Sequence, residues 1–136
     1  MRISLRAGER LYINGAVLLV DRKVSIELLN DATFLLEAHV MNVSDVTTPL
    51  RQLYFITQIM LMNPADTPAA AEMFAQAIRN NRKIFAEPRI LSGLDLAEQL
   101  VAENRKFDAL KAIRTLLPIE AEVLCIGEGP VAGAAA

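Results

Sequence analysis

Apolar and polar residues alternate with a period of two through most of the first third of the chain. Ile3 and Leu5 alternate with Arg2, Ser4 and Arg6, and Leu11 and Ile13 alternate with Arg10, Tyr12 and Asn14. A period of two sends successive side chains to opposite faces, which predicts strands. Residues 16–20 form a continuous apolar run, Val24, Ile26 and Leu28 alternate with Ser25 and Glu27, and residues 33–37 form a fifth candidate strand. Turn signals separate these runs at Ala7-Gly8-Glu9, Gly15, Asp21-Arg22-Lys23 and Asn30-Asp31. Short runs between short turns predict an antiparallel meander. A sheet this small has one apolar face to cover, with helices or with a second copy.

After a connector at residues 39–48 the period changes. Thr48-Pro49 is a helix start, because threonine caps and proline suits the first helical position. Leu50, Leu53, Tyr54 and Leu61 share a face, and Ile56, Ile59, Met60 and Met62 widen it until little polar surface is left, as in a helix buried on most sides. Asn63-Pro64 ends it, and Asp66-Thr67-Pro68 starts a second helix with Met73, Phe74, Ala77 and Ile78 on one face. Ser92 followed by Asp95 resembles a capping box for a third helix, whose inner side is Leu94, Ala97, Leu100 and Val101. A fourth helix is expected over residues 106–117, with Phe107, Leu110, Ile113 and Leu117 inward, ending before Pro118. The Gly- and Ala-rich end from Gly127 has the composition of a disordered tail.

The fold class is therefore α+β: an N-terminal antiparallel sheet of about five short strands, then about four α-helices. The expected parts are a β-rich part at 1–47, a helical part at 48–118, and an acidic tail at 119–136. Apolar types make up 53% of the 136 residues, enough to fill a core. The formal net charge of −2 excludes a strongly basic protein of the histone kind but leaves room for a local basic patch. Glu120, Glu122 and Glu128 have no basic neighbour after residue 118, so the acidic charge is concentrated in the tail.

Candidate chemistry is sparse. His39 is the single histidine and Cys125 the single cysteine, so His and Cys alone make no zinc set, and no internal disulfide can form. No nucleophile elbow of the G-x-S-x-G type and no phosphate-binding G-x-x-x-x-G-K-[ST] loop occurs, and Gly127, Gly129 and Gly133 have the wrong spacing for a dinucleotide fingerprint. Charges interrupt the N-terminus before a signal-peptide core can form, and the longest near-apolar stretch, residues 53–62, is too short to span a membrane. These readings predict a cytoplasmic, non-membrane protein that works by binding, with no cofactor, no metal and no catalytic residue.

The strands offer a binding surface. Pairing the first two as a hairpin with Ile3, Leu5, Leu11 and Ile13 inward would put Arg2, Ser4, Arg6, Arg10, Tyr12 and Asn14 on one outer face. RNA recognition uses this mixture: guanidinium groups neutralise phosphate, aromatic rings stack on splayed bases, and small polar groups read base edges. The same pattern is also that of an ordinary solvated strand face. Two further basic groups, Arg79-Arg82-Lys83-Arg89 and Arg105-Lys106-Lys111-Arg114, are read as helix-end and acid-balanced charges. Phe34, Phe74, Phe85 and Phe107 are read as core, and Tyr54 and Phe55 point to different sides of their helix.

Two stretches carry a resemblance. Gly8-Glu9-Arg10-Leu11-Tyr12-Ile13-Asn14-Gly15-Ala16-Val17 and Thr48-Pro49-Leu50-Arg51-Gln52-Leu53-Tyr54-Phe55, the latter followed by Gln58 and Met60, are similar to the FlbT family of flagellum biosynthesis repressors in alphaproteobacteria. The resemblance implies binding to the 5′ untranslated leader of flagellin messenger RNA, with lowered translation or faster decay of the message. It implies the flagellar regulator FlaF as a partner. It leaves the sign of the effect open, since some members activate. Members often carry two adjacent basic residues after the Thr-Pro start, where this chain has only Arg51, so an RNA contact there would be weaker. Residues 6–13 are also similar to the opening of the carbon storage regulator family, small β-rich dimers that occupy message leaders with their first strand. That places Ser4 to Arg6 at the matching position.

The leading expectation is thus a post-transcriptional regulator in which Arg2, Arg6 and Arg10 hold phosphates, Tyr12 stacks, Ser4 and Asn14 read base edges, and Arg51 assists. The alternative is an adaptor that binds a flagellar partner or a second copy, as a homodimer, through the apolar helix at residues 49–62. A third reading is a hydrolase acting through Cys125.

Overall fold

In the computed structural model, residues 2–30, 32, 34–63 and 67–128 are described. Five strands come first: β1 (Arg2–Leu5), β2 (Arg10–Ile13), β3 (Ala16–Leu19), β4 (Val24–Glu27) and β5 (Phe34–Leu36). Two 3₁₀ turns, Glu37–His39 and Val43–Asp45, lead to α1 (Pro49–Met62), α2 (Thr67–Ile84), α3 (Pro88–Ala102) and α4 (Lys106–Glu128). The α+β order of the sequence reading holds.

The strands do not form one meander. β1 pairs antiparallel with β4, and β2 pairs antiparallel with both β3 and β5, giving a two-stranded and a three-stranded sheet. The first two strands are therefore not a hairpin. Arg6 to Glu9 is a turn, closed by Glu9 N–H donating to Arg6 C=O, that carries the chain from one sheet to the other. The β2–β3 connection is the hairpin. Its two central residues, Asn14 (φ 49°) and Gly15 (φ 87°), both sit at positive φ, as a two-residue type I′ turn requires.

Side-chain alternation then builds three layers. Ile3 and Leu5 of β1 meet Leu11 of β2 and Phe34 of β5 in one small core, with Ile13, Val24, Ile26 and Leu36 at its edges. The opposite face of the three-stranded sheet turns to the helices: Leu35 is fully buried in the helical core and Tyr12 packs against it. The middle sheet is thus covered on both faces, with β1–β4 outside it and the helices on its far side. β3 is an edge strand whose four residues are all exposed, including Val17 at 59% and Leu19 at 66%.

α1 is the centre of the helical half. Leu50, Leu53, Tyr54, Ile56, Met60 and Leu61 are all buried in the main core, which explains its nearly uniform apolar sequence. On α2, Phe74, Ala77 and Ile78 are buried as expected, but Met73 lies half exposed. α3 starts earlier than the Ser92 capping box suggests. Pro88 occupies its first turn and the Glu87 side chain caps it by accepting from Arg89 N–H, leaving Ser92 in the helix interior. The inner side of Leu94, Ala97 and Leu100 is as read. The turn at Asp31 and the stop and start signals at Pro64 and Asp66 lie outside the described residues, as does the tail from residue 129.

The largest difference concerns α4. It continues through Pro118 to Glu128. A proline inside a helix removes one backbone hydrogen bond and crowds the preceding turn. Here Ile119, Val123 and Leu124 beyond it pack against the main core, which offsets that cost. α4 also lies close against α3 at Gly93, where an added Cβ would meet the buried Leu116 side chain at 2.4 to 2.9 Å. Gly93→Ala is therefore expected to destabilise the fold by about 1–3 kcal/mol, because Leu116 has little room to yield. A urea denaturation curve checks this, and an unchanged midpoint would show that the α3–α4 contact is looser than described.

Candidate functional site

The outer face of β1–β4 keeps part of the proposed surface. Along β1 and into the following turn, Arg2, Ser4 and Arg6 are exposed while Ile3 and Leu5 are buried. Directly opposite lie Glu27, across from Arg2, and Ser25, across from Ser4. Arg2 Nη2 is 3.4 Å from Glu27 Oε1, and Arg6 Nε is 3.8 Å from Glu9 Oε1. Arg2 and Glu27 are both exposed and Arg6 is exposed beside a partly buried Glu9, and ion pairs of exposed arginines contribute little and break easily for a stronger anion. Arg10 is exposed at the start of β2 and has no ion pair among the described residues. Its backbone N–H donates to Glu37 Oε1 at 2.8 Å, tying β2 to the turn before His39.

Three sequence-proposed residues lie elsewhere. Tyr12 does not face outward. It is half-buried and packs against the helical core, opposite Val17 and Leu35, so it is not available as an open stacking platform on the β1 face. The reason is that both faces of β2 are covered, which alternation alone does not reveal. Asn14 occupies the positive-φ corner of the β2–β3 turn and lines a groove with Asn104 and Lys106. Arg51 belongs to the first turn of α1, where its Nη1 donates to Asp45 C=O at 3.2 Å.

Around Arg51 the structure assembles residues the sequence keeps far apart. His39, Asp45, Tyr54 and Arg114 line a pocket of about 230 Å³ with it. Tyr54 Oη donates to His39 C=O, and Arg114 lies over the Tyr54 ring at 5.9 Å. One turn further along α1, the Gln58 carboxamide takes Met41 N–H at 2.6 Å and gives to Met41 C=O at 3.0 Å. Tyr54 and Gln58, two of the residues that carry the family resemblance, thus pin the connector between sheet and helices. Burial, with the nearby charges of Arg114 and Lys111, holds the His39 imidazole below its ordinary pKa, which favours its neutral form.

Three arginines of the other basic groups are ion-paired. Arg82 bonds both Asp95 and Glu98 at 2.7 Å, Arg89 pairs with Glu87 and Glu122, and Arg105 pairs with Asp108 and Glu103. Glu120 is not a tail residue. It is fully buried and accepts from Thr48 Oγ1–H and from Leu50 N–H at 2.8 Å, closing the N-terminus of α1. Its position after an apparent helix-ending proline hid this role. Cys125 is exposed near the end of α4.

A family model described as flagellar protein FlbT matches residues 1–124. The chain belongs to the FlbT family. It is 54% identical over its whole length to a protein of Brucella anthropi named as a probable flagellum biosynthesis repressor protein FlbT, covering 89% of that protein. It is 55% identical over 96% of its length to the Brucella abortus (strain S19) and Brucella suis proteins of the same name, covering 85% of each. No solved structure matches the chain. No helix of the described residues is long and apolar enough to cross a membrane.

Proposed function

We propose that this chain is a repressor in flagellum biogenesis that acts after transcription, by binding the 5′ untranslated leader of flagellin messenger RNA in the cytoplasm. The family and the names of its Brucella relatives support the flagellar and repressor parts. The observation that carries the RNA part is the outermost sheet layer: Arg2, Ser4 and Arg6 share one exposed face, and the unpaired Arg10 follows across a four-residue turn. Guanidinium groups there neutralise phosphates, Ser4 and Ser25 donate to sugar or base edges, and phosphate displaces Glu27 and Glu9 from Arg2 and Arg6. The protein performs no chemistry in this reading. It blocks translation, or exposes the message to a cellular nuclease, and FlaF is the protein partner expected to act with it.

An adaptor that uses α1 as its contact surface finds no support in the packing. Ile56 is buried, and Ile59 and Met62 are half-buried against the same core. Substituting them tests stability rather than partner capture.

A reporter fused to the flagellin leader tests the proposal in cells. Supplying this protein should lower expression several-fold from the native leader and leave a scrambled leader unaffected. An equal effect on both, or none on either, would contradict it.

A further inference from the structure

Six arginines of the described chain sit against carboxylates: Arg2, Arg6, Arg22, Arg82, Arg89 and Arg105. Arg51 and Arg114 do not, yet α1 and α4 bring both to the wall of one pocket. Arg51 meets only a backbone carbonyl through its side chain, and Arg114 has one protein partner, the Tyr54 hydroxyl at 3.4 Å. Arg114 Nε and His39 Nδ1 are buried without a hydrogen-bond partner among the described residues. Native proteins rarely leave buried polar atoms unpaired, and a bound ligand is one of the usual reasons. The single acid in the wall, Asp45, is not within ion-pair distance of either guanidinium.

Two guanidinium groups against one carboxylate leave the wall with a net positive charge. Lys111, one turn before Arg114, adds to it while lying over the Phe107 ring at 5.2 Å, and it joins Arg114 in depressing the His39 pKa. About 230 Å³ is below the range of pockets that take whole drug-sized ligands, and suits a single charged group instead. The pocket also adjoins the sheet. Glu37, in the same 3₁₀ turn as His39, accepts from the backbone of Arg10.

We propose that this pocket is a phosphate site, in which Arg51 and Arg114 together hold one phosphate group beside His39 and Tyr54. Its natural occupant is a phosphate of the bound RNA backbone, a choice that rests on the RNA-binding reading above. The strand then runs from the β1 face past Arg10 to the pocket. Paired guanidinium groups are suited to this, since each can give two parallel N–H bonds to phosphate oxygens.

The single histidine makes the site directly observable. Inorganic phosphate should shift the His39 imidazole resonance saturably and raise its pKa, because the anion offsets Arg114 and Lys111. Arg51→Gln and Arg114→Gln should each abolish that response. In titrations with flagellin leader RNA each should lower affinity about threefold to tenfold and reduce the salt slope by about one. Thermal melts identify a variant that fails to fold, and Arg51→Gln, outside the Tyr54 stack, then carries the test. Leader RNA bound by folded variants with unchanged affinity and slope would overturn the pocket while leaving the sheet-face reading intact. If the wild type binds no leader RNA, that reading falls, and the phosphate titration alone decides. A shift lost in the variants leaves a site for free phosphate, and an unmoved resonance overturns the site.

Discussion

Glu120→Ala should lower the stability of the fold by about 3 kcal/mol, among the larger effects of any single truncation in this chain. The carboxylate is buried and receives the hydroxyl of Thr48, the N-cap of α1, and the amide of Leu50 in its first turn. Thr48 in turn accepts from Arg51 N–H at 3.2 Å, so three groups at one helix end form a chain of bonds. α1 has no acidic residue in its own first turn, and Glu120 supplies from α4 the negative charge that a helix N-terminus favours. Removing it strands the buried Leu50 amide and the part-buried Thr48 hydroxyl and leaves a void beneath the central helix. For a chain of this size the melting temperature should fall by about 10–15 °C. Glu120→Gln keeps the shape and one acceptor, so it should lose about half as much. Thermal unfolding followed by circular dichroism reads both variants. A loss below about 1 kcal/mol for Glu120→Ala would mean that water replaces the carboxylate and that α1 is not held by α4 in this way.

The second large effect is on RNA. Replacing both Arg6 and Arg10 with alanine should weaken binding to the flagellin leader by about tenfold to a hundredfold, about 1.4–2.8 kcal/mol, and reduce the salt slope by about two. Arg6 has a side chain 85% exposed, and its contact to Glu9 at 3.8 Å is weak, so losing it should cost the fold little. Arg10 is exposed and has no ion pair among the described residues, and its structural bond to Glu37 is made by the backbone, which alanine keeps. Folding and binding effects are thus separable in this variant. Equal affinity of wild type and double variant at two salt concentrations would remove the β1 face as the RNA surface. Tyr12→Ala gives a contrast: it opens the helical core and should reduce stability, where a stacking residue would reduce RNA binding alone.

How much was legible in the sequence follows from which forces are local. Strand alternation at Ile3 and Leu5, the helix start at Thr48-Pro49 and the turn signal at Gly15 are short-range, and the structure keeps them. Pairing is not local. Nothing in residues 1–14 says that β1 prefers β4, so the expected hairpin of the first two strands, and with it the outward Tyr12, did not survive. Pro118 misled for a related reason: its local cost is real, but long-range packing of Ile119, Val123 and Leu124 outweighs it. In the sequence Glu120 consequently reads as a tail acid, whereas the fold makes it the cap of a helix far away along the chain. In the sequence Arg114 reads as balanced by Glu98, Glu103 and Asp108, yet in space those acids pair with Arg82 and Arg105. The residues of the family resemblance divide by role. Tyr54 and Gln58 hold the connector, Asn14 and Gly15 shape the hairpin, and Arg10 and Arg51 remain as exposed or unpaired charge.

A binding titration of the purified full chain against flagellin leader RNA, beside a scrambled RNA of equal length and at two salt concentrations, tests the central claim most directly. The account predicts tight binding that prefers the leader and weakens steeply as salt rises. Equal binding to both RNAs, or none to either, would contradict it.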